Sequence, residues 1–287
     1  LTAGPLAIIA GGGALPVEVA AVAARHGPVV VFPVRGFADR DFSAYGGETI
    51  RLFDPGGTVA ALKRHGASKV VLIGGVVKPS TSAVLESLQA TRKREEIQAF
   101  LEGGDDNVLR SVIRFLESNG LTVVGLDAVA PELMADPGAL STARPDPAAM
   151  QDVEIGRALI AALGIFDVGQ AVVVASRRVL GIEAVEGTDA LLRRVRDQRR
   201  KGLIGLIRRR GRAAVAESEG GVLVKLTKPG QDRRADLPAI GPNTMRNAAA
   251  AGLAGVAVEA GQVLIIEREK TLATADRLGL WLWGFGT

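Results

Sequence analysis

Apolar residues in the first 130 positions come in short aliphatic blocks separated by stretches with helical spacing. Leu6 to Ala10 (LAIIA) is a continuous apolar run closed by Gly11-Gly12-Gly13 and predicts a buried strand. Pro16 then suits the first turn of a helix, where its missing N–H needs no partner, and Val17, Val19, Ala20 and Val22 repeat at helical spacing up to Arg25. The pattern continues with a strand at 29–34, a helix at 58–64 and a strand at 69–73. Helices at 81–101 and 105–118 and a strand at 122–126 follow. Strands alternating with helices predict a parallel, Rossmann-like sheet with helices on its faces.

Periodicity fails between Ala135 and Pro147, where ADPGALSTARPDP gathers Pro, Gly, Ser and Asp. Beyond it the pattern predicts a helix at 148–163, strands at 169–175 and 179–185, and a helix from Thr188 into a basic run. A strand at 222–225, a helix at 243–251 and strands at 255–258 and 263–267 complete a mixed α+β pattern. The expected organisation is an α/β domain over 1–134, a linker over 135–147, and an α+β domain over 148–287. Length agrees, since 287 residues suit two domains at about 100–200 residues each.

Composition removes several chemistries. With no cysteine, the chain has no thiolate nucleophile, disulfide or Cys-based metal site. His26 and His65 are its two histidines, so a site built on several imidazoles is excluded and any metal must rest on oxygens. No apolar window reaches the roughly 18–20 residues of a membrane span, and the first residues lack a secretory signal pattern. A soluble, cytoplasmic protein is expected.

The net charge of +4 matters less than its distribution. Residues 193–212 hold ten Lys or Arg against Asp197 alone. A solvated helix face accounts for such a run, and so does attraction to an anionic membrane surface or an acidic substrate. Nucleic acid fits poorly, because no aromatic residues are interleaved for base stacking.

Gly11, Gly12 and Gly13 sit between a strand and a helix, where bare backbone N–H groups could cradle a phosphate or nucleotide. The dinucleotide fingerprint fails: Pro16 stands where its third glycine belongs, and no acid is placed for a ribose after the second strand. Gly74 and Gly75 end the third strand with Lys78 close behind, which reads as a ligand edge or as a tight turn with a surface lysine. Asp105 suits a helix cap, and Asp106 beside it leaves room for a metal or a substrate hydroxyl.

Glu183 and Glu186 close a strand on opposite faces, and only a bend at Gly187 would bring them to one site. Thr188 and Asp189 open the next helix, with Arg193 and Arg194 behind them, a denser polar group than a cap requires. In KLTKPGQDRRADLPAIG, residues 225–241, Lys225 and Lys228 suit phosphate and Gln231 can orient a ligand. Asp232 and Asp236 are oxygen donors suited to Mg²⁺ or Mn²⁺.

These segments, read together as IAGGGALP, GDD at 104–106, DVGQAVVV at 167–174, VLGIEAVEGTDALLRR at 179–194 and KPGQDRRADLPAIGPNT at 228–244, resemble the LpxI family of UDP-2,3-diacylglucosamine pyrophosphatases of lipid A biosynthesis. The resemblance runs over nearly the whole chain in the family's order. It implies a two-domain enzyme with its active site between the domains, using Mg²⁺ or Mn²⁺ to hydrolyse UDP-2,3-diacylglucosamine to UMP and 2,3-diacylglucosamine 1-phosphate. Water would attack the phosphorus on the sugar side, and the aspartate of the DLP motif, Asp236, would be essential and metal-associated.

The expected roles follow. Asp236, Lys225, Lys228 and Gln231 are catalytic; Asp236, Asp232, Glu186 and Asp189 are metal candidates; Gly11, Gly12, Gly13, Gly75, Asp105, Thr188, Arg194 and Thr244 are substrate contacts. Expected partners are the lipid-linked nucleotide and, transiently, the inner-membrane surface, with a homodimer as a candidate assembly and no nucleic acid. Two rival readings are a non-catalytic nucleotide or anionic-lipid binding module, and an NADP-type oxidoreductase using Arg35 for the 2′-phosphate.

Overall fold

The computed structural model describes residues 4–76, 105–166, 168–210, 220–228, 232–234 and 237–286, without the side chains of 105–107, 165 and 202–210. Chain contacts divide it into two units. One comprises residues 1–131 with 232–236, the other residues 132–231 with 237–287.

In the N-terminal unit, strands β1 (Leu6–Ala10), β2 (Val29–Pro33), β3 (Lys69–Ile73) and β4 (Thr122–Val123) form a parallel sheet ordered β2-β1-β3-β4. Helices α1 (Leu15–His26), α2 (Pro55–Arg64) and α3 (Asp105–Ser118) join them. Local chemistry sets the boundaries. Asp54 caps α2 by accepting the Gly57 N–H at 2.9 Å with Pro55 at the first turn, an arrangement worth about 1 kcal/mol. Ala7, Phe32, Leu62, Val70, Ile113 and Leu116 share a core that closes one face of the sheet. The sequence anticipates β1, β3 and α3 at their observed bounds. The expected strand at 122–126 stops at Val123, because Leu126 begins a helical turn at Leu126–Val129. The helix expected at 81–101 lies outside the described residues.

The C-terminal unit is built on a six-stranded sheet, ordered β5 (Gly138–Ala139), β12 (Trp281–Phe285), β10 (Gly255–Glu259), β8 (Val222–Lys225), β6 (Ala171–Ala175), β7 (Arg178–Ile182). Strands β8, β10 and β12 are parallel; β5, β6 and the β6-β7 hairpin add antiparallel pairs. A two-stranded parallel pair, β9 (Ala239–Ile240) with β11 (Leu264–Ile265), stands apart from this sheet. Helix α4 (Pro147–Leu163) covers one face of the large sheet. Helices α5 (Gly187–Arg210), α6 (Pro242–Ala250) and α7 (Arg268–Arg277) contribute to the core on the other.

The strand period of two divides the core. Val172 and Val174 of β6 and Val222 and Val224 of β8 pack with Val153 and Ile160 of α4, while Ala171, Val173 and Leu223 pack with Leu191, Leu192 and Met245. Gly156 lets α4 lie close to the sheet, since a Cβ there would come within 2.6 Å of Val224 Cγ2. Asp152, buried on the same helix, accepts the Ser176 and Arg177 N–H groups at 3.0 and 2.6 Å. It thereby holds a hairpin turn whose two residues have positive φ.

Within 135–147, Gly138–Ala139 pairs with β12 and the Ser141 hydroxyl accepts the Leu282 N–H at 2.6 Å. This stretch has no apolar period because it binds through backbone and hydroxyl groups. Helix α7 and strand β12 were not anticipated. β12 reads as an aromatic run, WLWGF, too short to separate strand from buried helix by periodicity.

Candidate functional site

In the N-terminal unit, the carboxyl edge of the parallel sheet is closed by backbone. Gly11 donates to the Ile73 carbonyl at 2.8 Å, and Gly12 and Gly75 exchange two N–H to carbonyl bonds at 2.9 Å. The Gly13 N–H donates to the Asp39 carboxylate at 2.9 Å. All three amide protons of the glycine run are therefore directed at acceptors within the protein. The glycines are explained by approach: a Cβ on Gly11 would lie 2.7 Å from the Gly75 oxygen, and one on Gly12 2.8 Å from the Phe37 oxygen. Gly74 has φ +97 and a Cβ there would meet Pro16 at 2.7 Å. Lys78 lies outside the described residues, and so does the side chain of Asp105.

The same unit contains Asp232. Both of its carboxylate oxygens are held by Arg234, at 3.0 Å from Nε and 2.8 Å from Nη2, and Arg234 Nη1 reaches Glu117 at 2.6 Å. The guanidinium hydrogen bond holds the Asp232 carboxyl below its ordinary value of 3.8, and the carboxylate raises Arg234 in return. Asp232 is thus neutralised in a fork-shaped pair. Gln231 and Asp236, on either side, lie outside the described residues.

In the C-terminal unit the sheet register gathers polar groups at one end. Lys225, last in β8, is paired with Ala171 at the start of β6 and with Val258 near the end of β10. β7 stops at Ile182, and the Glu183 N–H donates to the Ala171 carbonyl at 2.8 Å. Gln170, Glu183, Lys225, Thr227 and Glu259 consequently lie along one sheet end. Because the strand ends at 182, the odd-even rule does not govern the two glutamates.

Glu183 turns inward. Its carboxylate accepts the Gln170 N–H at 2.7 Å and the Thr188 hydroxyl at 2.6 Å, while Lys225 Nζ donates to the Thr188 oxygen at 2.9 Å. Glu183 and Lys225 are 7% and 8% exposed, so two opposite charges are buried with a hydroxyl between them. The Thr188 side chain thus serves Glu183, where the sequence suggested a helix cap. A second buried acid, Glu259, accepts the Thr227 N–H and hydroxyl at 3.0 and 2.6 Å. It fixes the chain where the segment 225–241 leaves the sheet.

The other expected residues have separate partners. Glu186 pairs with Arg194 at 2.9 Å, and the same Arg194 nitrogen donates to the Ile182 carbonyl at 2.7 Å. Asp189 accepts from Asn247 at 2.8 Å, Thr244 accepts the Gly241 N–H at 3.2 Å, and Lys228 is half-buried. Part of the basic run is structural: Arg199 donates to the carbonyls of Ala251, Gly252 and Gly220. Among the described residues, no three His, Cys, Asp or Glu side chains are grouped to hold a metal ion. The sequence singled out Glu183 only as half of a pair with Glu186 and gave it no role, and it did not single out Glu259; the pairing register shows that both are buried at the sheet end.

The architecture is that of a two-domain protein: a parallel α/β domain, then a mixed α+β domain whose sheet end carries two bonded groups, Glu183–Thr188–Lys225 and Glu259–Thr227. Residues 5–133 match the LpxI N-terminal domain family and residues 136–283 the LpxI C-terminal domain family. The UDP-2,3-diacylglucosamine pyrophosphatase LpxI of Caulobacter vibrioides is 38% identical over 280 residues, covering 97% of this chain and 96% of that protein. The chain belongs to the LpxI family and is an enzyme, a pyrophosphatase.

Proposed function

We propose that the chain hydrolyses the pyrophosphate of UDP-2,3-diacylglucosamine to UMP and 2,3-diacylglucosamine 1-phosphate, with Mg²⁺ or Mn²⁺. The observation that carries this reading is 38% identity to a protein of that name over 97% of the chain. The chemistry of the residues agrees. Cysteine is absent, both histidines precede residue 66, and the polar groups at the sheet end are a lysine, two threonines and two carboxylates.

Lys225 and Lys228 are the groups we assign to the phosphates. Ammonium donors offset the charge that builds on the departing phosphate, and an ammonium in a dry setting does so more strongly than one in water. Asp236 is assigned to the metal and to the attacking water, with Gln231 orienting the substrate. Asp232, Glu186 and Asp189 each already have a partner side chain, so a prebuilt cage of the described acids does not fit the ion. Asp236 would instead hold the ion together with the substrate's own phosphate oxygens. Such an ion neutralises phosphate charge and lowers the pKa of bound water.

Gly11 to Gly13 and Gly75 are assigned to the nucleotide through close contact with bare backbone, since their N–H groups are already bonded. Asp105, Arg194 and Thr244 complete the assigned substrate contacts, while Thr188, its proton on Glu183 and its oxygen on Lys225, serves the site through that lysine. No described helix is long and apolar enough to cross a membrane. We assign transient contact with an anionic membrane surface to the remaining arginines of the basic run, from the cytoplasmic side.

UMP release from UDP-2,3-diacylglucosamine, followed with Mg²⁺, Mn²⁺ and chelator, tests the reading. Turnover is expected with metal and not with chelator, and Asp236→Ala is expected to abolish it while circular dichroism stays unchanged. Metal-independent UMP release removes the metal assignment, and near-normal turnover by Asp236→Ala removes that residue's role. Absence of UMP under every condition removes the substrate.

A further inference from the structure

The geometry points to Glu183 as a positioning residue for the pyrophosphate reaction: through the Thr188 hydroxyl it fixes the ammonium of Lys225 at the sheet end. This rests on the reading above, in which Lys225 meets a phosphate. Three observations carry it. The Thr188 proton is committed to Glu183 at 2.6 Å, so the oxygen presents a lone pair to Lys225, whose Nζ donates to it at 2.9 Å. Glu183 is itself anchored by the Gln170 N–H at 2.7 Å and by its own N–H on the Ala171 carbonyl, and cannot swing away without breaking sheet contacts. Gly169 tightens this anchor, because a Cβ there would come within 2.0 Å of the Glu183 carbonyl oxygen.

The interposed hydroxyl explains why the acid is useful in that place. Through the Thr188 hydroxyl, Glu183 directs one of the three N–H bonds of Lys225 without itself taking that bond. Lys225 is then oriented before substrate arrives, and no side-chain freedom has to be lost as charge develops on the phosphate.

The test measures UMP release by the full chain carrying Thr188→Val, Thr188→Ser or Glu183→Gln, each also combined with Lys225→Met. Thr188→Val keeps the shape and removes the bridge; Glu183→Gln replaces one of two acceptor oxygens with a donor. Each is expected to lower kcat by roughly tenfold to a hundredfold, the size of losing one charge-assisted hydrogen bond, with KM within about twofold. Thr188→Ser restores the hydroxyl and is expected to restore kcat. In the Lys225→Met background neither Thr188→Val nor Glu183→Gln is expected to cause further loss, because a residue acting through Lys225 has nothing left to act on.

Losses that multiply in the double variants, or wild-type kcat in Thr188→Val, overturn the proposal. If Glu183→Gln does not fold, the Thr188 series and its Lys225 combinations decide the question. UMP release by the wild type with multiplicative losses refutes the role of Glu183 alone. A wild-type chain that releases no UMP refutes the substrate reading and this proposal with it.

Discussion

The two sheet ends in this enzyme are built from opposite materials. In the N-terminal unit the carboxyl edge is backbone on backbone: Gly11, Gly12, Gly74 and Gly75 approach so closely that a methyl group would not fit at Gly11, Gly12 or Gly74. In the C-terminal unit the corresponding end is side chain on side chain, with Glu183, Thr188 and Lys225 bonded in one group and Thr227 and Glu259 in another, all buried except the half-buried Thr188. The first is specified by what is missing from the residues, the second by charges that must be paired if they are buried. Substitutions should therefore fail by different physics at the two ends.

The largest effect is expected for Glu259→Ala. It removes a buried carboxylate that accepts two hydrogen bonds and leaves the Thr227 N–H without its acceptor. A loss of about 3–4 kcal/mol follows from the two bonds and the unpaired donor. Trp281 and Trp283, the chain's two tryptophans, both lie in β12 beside β10, so the denaturant midpoint by tryptophan fluorescence reads this change where it occurs. An unchanged midpoint would show that the network is dispensable.

At the other end two glycines separate crowding from conformation. Gly11→Ala is expected to cost about 2–3 kcal/mol by overpacking against the Gly74 and Gly75 backbone. Gly13→Ala should cost only about 1 kcal/mol, since nothing lies within 4 Å and the penalty is its φ of +100. Hydrogen exchange at the β1 amides measures both, and equal effects would contradict the close-approach account.

The smallest effect belongs to Asp232. Its carboxyl is depressed by Arg234, so its contribution to stability is present above its ordinary value of 3.8 and disappears as pH falls through the lower folded value. The pair is partly exposed, with Arg234 39% accessible, which limits the contribution to under about 1 kcal/mol. Asp232→Asn should be slightly less stable than wild type at pH 7, and the difference should close below pH 3.8. A difference that grows with acid would reverse the assignment.

Much of the fold was legible because its signals are local. β1, β3, α3 and β8 were readable from continuous apolar runs or from helical period, while α2 and α4 start earlier than expected, at Pro55 and Pro147 beside capping aspartates. The pattern missed helix α7 and three strands, and the strands, β12 with the short β5 and β9, are held by pairing with distant segments and carry little period of their own. The site divides likewise. Lys225, Thr188 and Arg194 stood out as charged or polar residues clustered in sequence, and Glu183 did so only beside Glu186; the inward role of Glu183, and Glu259 altogether, were not legible. Their neighbours are supplied from 13 residues away, at Gln170, and from 32 residues away, at Thr227.

By itself the sequence determined the types of the longer elements before residue 259, the order of a parallel α/β half and a mixed α+β half, and the absence of thiol or multi-histidine chemistry. These depend on residue identity and on spacing along one chain. Tertiary structure alone decided which hydrogen-bonding groups are committed: the glycine amides to Ile73, Gly75 and Asp39, Asp232 to Arg234, Glu186 to Arg194, and Lys225 to Thr188. Commitment is a matter of distance and direction within about 3 Å, and those are set by strand register and helix placement across long loops.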